Sequence, residues 1–308
     1  MRKTFEEPDA RELTLSPYQE MKIQEEGFKG TLYIPHRDDY KGKALIMLGG
    51  IDGSYRITQL IAEQFVKRGM TILVVAYFNQ EGLKDSIESI PLEIVEKAAE
   101  WLRDRVYYKV GVWGISTGAQ YGLLAASYFP ELISCAVGVC PNSVCTQGIR
   151  LKTHKVHKLG LADCSSFSYQ GNDLPYEKLS MSRFKIWWNS FIGRTINYLS
   201  VYRGVVENAA EETKIPVERI NGPVLLLASE NDTIWYSKEA SQAIQERLKE
   251  KNFKHKVEYH CYEQASHLLI PCRLKTADIF AVERKYPEKC MENNSASFEN
   301  TLQFLKEW

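Results

Sequence analysis

Short, unbroken apolar runs alternate along this chain with longer stretches in which apolar residues recur every three or four positions. Residues 44–48 and 71–76 are almost wholly apolar, and the second run is rich in β-branched side chains. Strands of that kind are buried on both faces, as in the interior of a parallel sheet. Residues 109–113, 135–140 and 223–228 repeat the pattern, and residues 256–262 complete the set. Residues 29–34 alternate instead and stop at Pro35, which predicts an edge strand. Between these runs the spacing turns helical: Ile57, Leu60, Ile61 and Phe65 form one apolar face, Leu92, Val95, Ala99 and Leu102 a second, and Ala240, Ala243, Ile244 and Leu248 a third. The alternation predicts an α/β fold, a mostly parallel central sheet with helices on both faces.

One segment breaks the rhythm. Residues 142–221 offer no interior strand and are too long for an ordinary connection. They carry Tyr169, Tyr176, Phe184, Trp187, Trp188 and Tyr202 together with polar turns. The segment is expected to be a helical cap crossing the C-terminal ends of the strands, where α/β sheets bind ligands. The core is then residues 1–141 and 222–308, with no N-terminal β-sandwich before it.

Gly114-Ile115-Ser116-Thr117-Gly118 changes the picture from architecture to chemistry. An apolar strand precedes it and a stretch rich in small residues and leucine follows. Strand, G-x-S-x-G, helix is the form of a nucleophile elbow, in which a tight turn lifts the serine hydroxyl clear of the sheet. Such a serine needs a base, and the base needs an acid to orient it. The strand at 224–228 ends in Ser229-Glu230-Asn231-Asp232, so Asp232 is the expected acid, with Glu230 in reserve. The last strand is followed by His267. Of the six histidines, His260 falls inside that strand, His154 and His157 in a basic stretch, and His36 and His255 at surface-like positions. The expected triad is Ser116, Asp232 and His267. Its oxyanion hole needs two backbone N–H groups: that of Thr117, and that of Gly50 or Ile51 in the glycine loop after the strand at 44–48. Trp113, Tyr169 and Trp235 are expected to contact substrate.

Composition removes alternatives. Across 308 residues, 39 basic side chains balance 39 acidic ones, which argues against a nucleic-acid or membrane-surface partner. No apolar run is long enough to span a bilayer, and the first residues lack the apolar core of a secretory signal. Seven cysteines without C-x-x-C pairs match no zinc pattern, so no metal or cofactor is called for. A reducing, cytoplasmic setting is expected.

An ordered string of short motifs narrows the reading: Ala76-Tyr77-Phe78, Ile90-Pro91-Leu92-Glu93, the elbow, Tyr169-Gln170-Gly171, Ile215-Pro216-Val217-Glu218, Glu230-Asn231-Asp232 and Ala265-Ser266-His267-Leu268. On these the chain resembles the C-terminal α/β-hydrolase domain shared by acyl-CoA thioester hydrolases and bile acid-CoA:amino acid N-acyltransferases, from about residue 45 to about residue 271. The resemblance implies Ser116 as nucleophile, Asp232 as acid and His267 as base, acting on an acyl thioester in fatty acid or acyl-CoA metabolism. The chain departs from the family where Thr117 stands in place of a frequent lysine. It also carries Ser116 where the amino-acid-conjugating branch uses cysteine, which favours hydrolysis over transfer. A carboxylesterase or small-amide hydrolase, an N-acyltransferase, and a non-catalytic ligand-binding scaffold are the competing functions. The basic stretch 152–158 is a candidate contact for the phosphates of coenzyme A.

Overall fold

The computed structural model describes residues 13–51, 55–151, 159–272 and 274–308. In chain order come β1 (Gln19–Met21), the single turn α1 (Ile23–Glu26), β2 (Lys29–Tyr33), β3 (Lys43–Leu48), α2 (Tyr55–Val66) and β4 (Thr71–Ala76). Then follow β5 (Ile90–Pro91), α3 (Glu93–Arg103), β6 (Lys109–Ile115), α4 (Thr117–Tyr128) and β7 (Ala136–Val139). The next segment holds β8 (Gln147–Leu151), β9 (Leu159–Ser165), β10 (Phe167–Tyr169), β11 (Asn172–Asp173) and α5 (Arg183–Gly193). The chain returns to the sheet with β12 (Val224–Ser229), α6 (Ser237–Glu250) and β13 (Val257–Tyr262), followed by α7 (Ala281–Lys285) and α8 (Pro287–Glu307).

Eight strands form one sheet in the order β1-β2-β4-β3-β6-β7-β12-β13. The β1–β2 and β2–β4 pairs are antiparallel and the rest are parallel. Every residue of β4 and β12 is buried, as their unbroken apolar sequences require. Successive residues feed opposite faces. Ile46, Leu73, Val112 and Leu226 pack with α3, α4 and α6, while Leu45, Val74, Trp113 and Leu227 pack with α2 and α8.

Two elements differ from the sequence reading. β2 is not the edge: β1 pairs along it, and Gln19-Glu20-Met21 has no strand-like pattern to read. The segment between β7 and β12 contains strands as well as a helix. β8 and β9 form an antiparallel hairpin, and β10 lies between β11 and β5 in a three-stranded sheet. These strands are short and partly polar, β11 being Asn172-Asp173, so alternation cannot mark them. Ile87 and Ile149 exchange backbone hydrogen bonds of 3.1 and 2.9 Å and tie the hairpin to the loop after β4.

Candidate active site

The turn from β6 into α4 holds Ser116 at φ 59° and ψ −126°, a conformation that a non-glycine residue adopts only where its surroundings enforce it. The enforcement is visible. Ser116 N–H donates to Val139 O at 2.9 Å, and its carbonyl accepts from Ala119 and Gln120 at 2.9 and 3.1 Å. A Cβ on Gly114 would stand 2.1 Å from Gly118 O, and one on Gly118 would stand 2.3 Å from Gly49 O. The two glycines let α4 start directly against the strands, and that start tilts Ser116 out of the sheet.

The loop after β12 carries Asp232 and the loop after β13 carries His267. Ser229 Oγ–H donates to Ala265 O at 2.6 Å and the Asn231 amide to Glu263 O, which ties these loops together, while Asn231 N–H donates to Ser229 Oγ at 3.1 Å within its own loop. Asp232 Oδ1 accepts from the N–H groups of Ile234 and Trp235 at 2.9 and 3.3 Å, which fixes the carboxylate on its own turn. Its Oδ2 accepts from His267 Nδ1 at 2.7 Å, with side-chain exposures of only 2 % for Asp232 and 7 % for His267. That bond orients the ring with Nδ1 as donor and leaves Nε2 as the acceptor. His267 Nε2 is buried without a hydrogen-bond partner among the described residues. Trp235 meets the imidazole edge-on at 5.5 Å and anchors its own indole N–H on Cys140 O at 3.0 Å.

Ser116 and His267 open into one cavity of about 410 Å³. Thr117, Gly50, Ile51 and Trp235 also line it, as do Ile57, Leu161, Met181, Ile196 and Phe280. Gly50 lies against the serine: a Cβ there would be 3.3 Å from Ser116 Cβ. Tyr77 O–H holds the neighbouring turn by donating to Gly49 O at 2.6 Å.

The residues singled out in the sequence therefore separate into groups. Ser116, Thr117, Gly50, Ile51, Trp235 and His267 share the cavity, and Asp232 stands behind His267. Trp113 and Tyr169 do not line it. Trp113 packs against Phe65 at 5.9 Å beneath the sheet, because alternation along β6 sends it to the α2 face. Tyr169 packs against Tyr128 and Phe129 at the small sheet of β10. Glu230 pairs with Lys238 at the surface rather than with His267, and His260 lies 3.5 Å from Glu258. The stretch 152–158, with His154 and His157, lies outside the described residues.

Two supports were not legible in the sequence. Ser266 Oγ–H donates to buried Glu283 on α7 at 2.6 Å and accepts from Leu268 N–H at 3.1 Å, locking the histidine loop from behind. Cys140, buried, places its sulfur in a cluster with Asp232 and His267 whose ligand atoms all lie within 4.8 Å. Burial, with the Asp232 charge adding to it, pushes the Cys140 thiol well up, so the sulfur keeps its proton.

The family described as BAAT / acyl-CoA thioester hydrolase C terminal matches residues 90–274. The chain belongs to this family. Among curated relatives, acyl-coenzyme A thioesterase 2, mitochondrial, from Mus musculus is 25% identical over 254 residues, covering 81% of this chain and 49% of its own length. Acyl-coenzyme A thioesterase 1 from Homo sapiens is 24% identical, covering 79% of this chain and 52% of its own length. Acyl-coenzyme A amino acid N-acyltransferase 1 from Mus musculus is 24% identical, covering 81% and 54%. The chain thus spans about half the length of the curated relatives it matches. Among solved structures, a putative dienelactone hydrolase from Klebsiella pneumoniae is similar over 94% of this chain and 98% of its own, with a TM-score of 0.57 and 14% identity. The Pyrococcus furiosus esterase Pf2001 gives a TM-score of 0.51 at 17% identity, covering 91% and 87%. This member of the BAAT / acyl-CoA thioester hydrolase family has the α/β-hydrolase fold.

Proposed function

We propose that the protein hydrolyses acyl thioesters of coenzyme A through an acyl-enzyme on Ser116. The observation that carries this reading is the buried 2.7 Å bond between Asp232 and His267, set in the cavity that the elbow serine enters. His267 Nε2 takes the Ser116 proton as Oγ attacks the thioester carbonyl, and Asp232 stabilises the imidazolium that forms. The N–H of Thr117 and that of Gly50 or Ile51 receive the oxyanion. Collapse breaks the carbon–sulfur bond, and His267 returns its proton to the departing thiolate. Water then attacks the acyl-enzyme with His267 again as base, releasing a carboxylic acid and restoring the serine. Each step uses this chain's own side chains and backbone N–H groups and one water molecule.

A thioester is favoured over an oxygen ester because the thioesterase relatives match most of this chain. The aliphatic walls suit an acyl chain, each buried methylene contributing about 0.8 kcal/mol. The segment 142–221 serves in this reading as the cap, since Ile149, Leu161, Leu179 and Met181 come from it. Acyl transfer to an amino acid is the second reading, favoured by the N-acyltransferase relative. A serine ester is readily hydrolysed by water, which places transfer behind.

The test compares rates on acyl-CoAs and p-nitrophenyl esters of matched chain length, with and without glycine or taurine. Thiol release from acyl-CoAs, with free acid as product, is expected. Cleavage of the oxygen esters alone would overturn the thioester reading, and an N-acyl amino acid as the main product would establish transfer.

A further inference from the structure

The helix α5 is built outside in. Phe184, Trp187, Trp188, Phe191 and Ile192 recur at the spacing of a single helical stripe, and that stripe faces solvent, with exposures of 68, 56, 47, 66 and 63%. Only Ile186 of the described apolar side chains on α5 turns inward, against the cluster of Tyr198, Val201 and Trp235. The outward rings pack on one another, Trp187 against Phe191 at 5.3 Å and Phe184 against Trp188 at 6.0 Å, and so present one continuous apolar ridge. A ridge of this kind marks a surface that something else covers.

The charge around it says what. Residues 178–206 contain Lys178, Arg183, Lys185, Arg194 and Arg203 and no acidic residue, in a chain whose charges balance over its full length. Lys178, Arg194 and Arg203 are exposed. We propose that α5 docks the protein on the surface of an anionic lipid bilayer, its aromatic stripe at the headgroup boundary and its basic flanks on lipid phosphates. Tryptophan and phenylalanine beside lysine and arginine are the composition of a helix lying in a membrane interface. Each basic group near such a surface adds to the attraction and makes it sensitive to salt. At 11 residues the helix is too short to span. A second copy of this chain suits the ridge less well, because a two-fold contact would bring two copies of this cationic segment together.

Docking there has a consequence for the cavity. Leu179 and Met181 before α5, and Ile196 and Tyr198 after it, line the cavity that holds Ser116. An amphiphile in the bilayer surface therefore lies beside the cavity walls. The balanced total charge leaves room for this docking, because the cations are concentrated in one segment.

The test uses the full chain with sucrose-loaded vesicles of phosphatidylcholine, with and without phosphatidylserine, followed by sedimentation and tryptophan emission. The Ser116→Ala protein is expected to sediment like the wild type, which separates docking from hydrolysis. Binding is expected with phosphatidylserine, falling at least about tenfold in Trp187→Glu/Phe191→Glu, with unfolding temperature and turnover of a short soluble acyl substrate unchanged. Arg194→Glu/Arg203→Glu, which leaves the aromatic stripe intact, is expected to weaken the same binding and its salt dependence. Absence of sedimentation, or sedimentation indifferent to both variants, overturns the proposal. So does a dimer in light scattering that the aromatic variant splits while vesicles stay unbound.

Discussion

Asp232 spends one carboxylate oxygen on its own turn and the other on His267. Replacing it by asparagine keeps the shape but removes the acceptor that forces the Nδ1 proton into place. Asp232→Asn is expected to lower kcat by about 10³- to 10⁴-fold with the fold intact, whereas Glu230→Gln, on the same loop, is expected to leave kcat unchanged. Steady-state rates beside a thermal melt check both. The two tryptophans near the elbow divide in the same way. Trp113→Ala is expected to cost stability of about 3–5 kcal/mol by opening a hole under the sheet, read as a shift in the denaturation midpoint. Trp235→Ala, which removes an aromatic wall beside His267, is expected to act mainly on kcat/KM. Sequence alone could not tell them apart. Both are tryptophans close to a strand end, and only the register of β6 decides which face Trp113 takes.

The elbow ties three elements at one point, which makes it intolerant of side chains. Gly118→Ala is expected to displace α4 from β3, since the new Cβ would lie 2.3 Å from Gly49 O and 2.4 Å from Leu48 O. Reduced soluble yield and a lower melting temperature are the readouts. A second tie joins α6 to the turns before β12. Arg247 donates to both oxygens of Glu218 at 2.6 and 2.8 Å and to Glu211 at 2.6 Å. Hydrogen bonds from Lys214 and then Arg247 hold the Glu211 carboxyl at about 2. Burial pulls Glu218 up, but the Arg247 bonds outweigh it and its carboxyl also lies low. Both groups titrate lower in the folded chain than in the unfolded one. Their contribution is therefore complete above the ordinary carboxylate range, about 4.3, and is lost as pH falls toward 2. Arg247→Leu is expected to lower the melting temperature at neutral pH and to flatten its decline through that acid window. The effect is modest, because Glu211 is 61% exposed. The parallel strands were legible as unbroken apolar runs and the amphipathic helices by their three-to-four-residue period. The strands β8 to β11 and the ridge on α5 were not, because neighbours rather than local pattern decide their pairing and their outward face.

At the scale of the molecule, the sheet places three loops at one end, and a segment between β7 and β12 covers them with aliphatic side chains. The order of serine, acid and histidine along the chain was readable because each follows its own strand. The cavity was not, since its walls come from α2, the insertion and the residues around α7, which no local motif connects. Among the described residues no helix is long and apolar enough to cross a membrane, and the docking inferred for α5 lays that helix in the bilayer surface. Vesicles are accordingly expected to raise turnover of long-chain substrates more than of short ones, measured at fixed substrate.

The central claim is that Ser116 carries the acyl group. Thiol release from a long-chain acyl-CoA by the wild type and by Ser116→Ala, each verified as folded by its melting curve, tests it most directly. Steady release by the wild type and none above the uncatalysed background by the variant is the expected result. Equal release by both proteins would contradict the account.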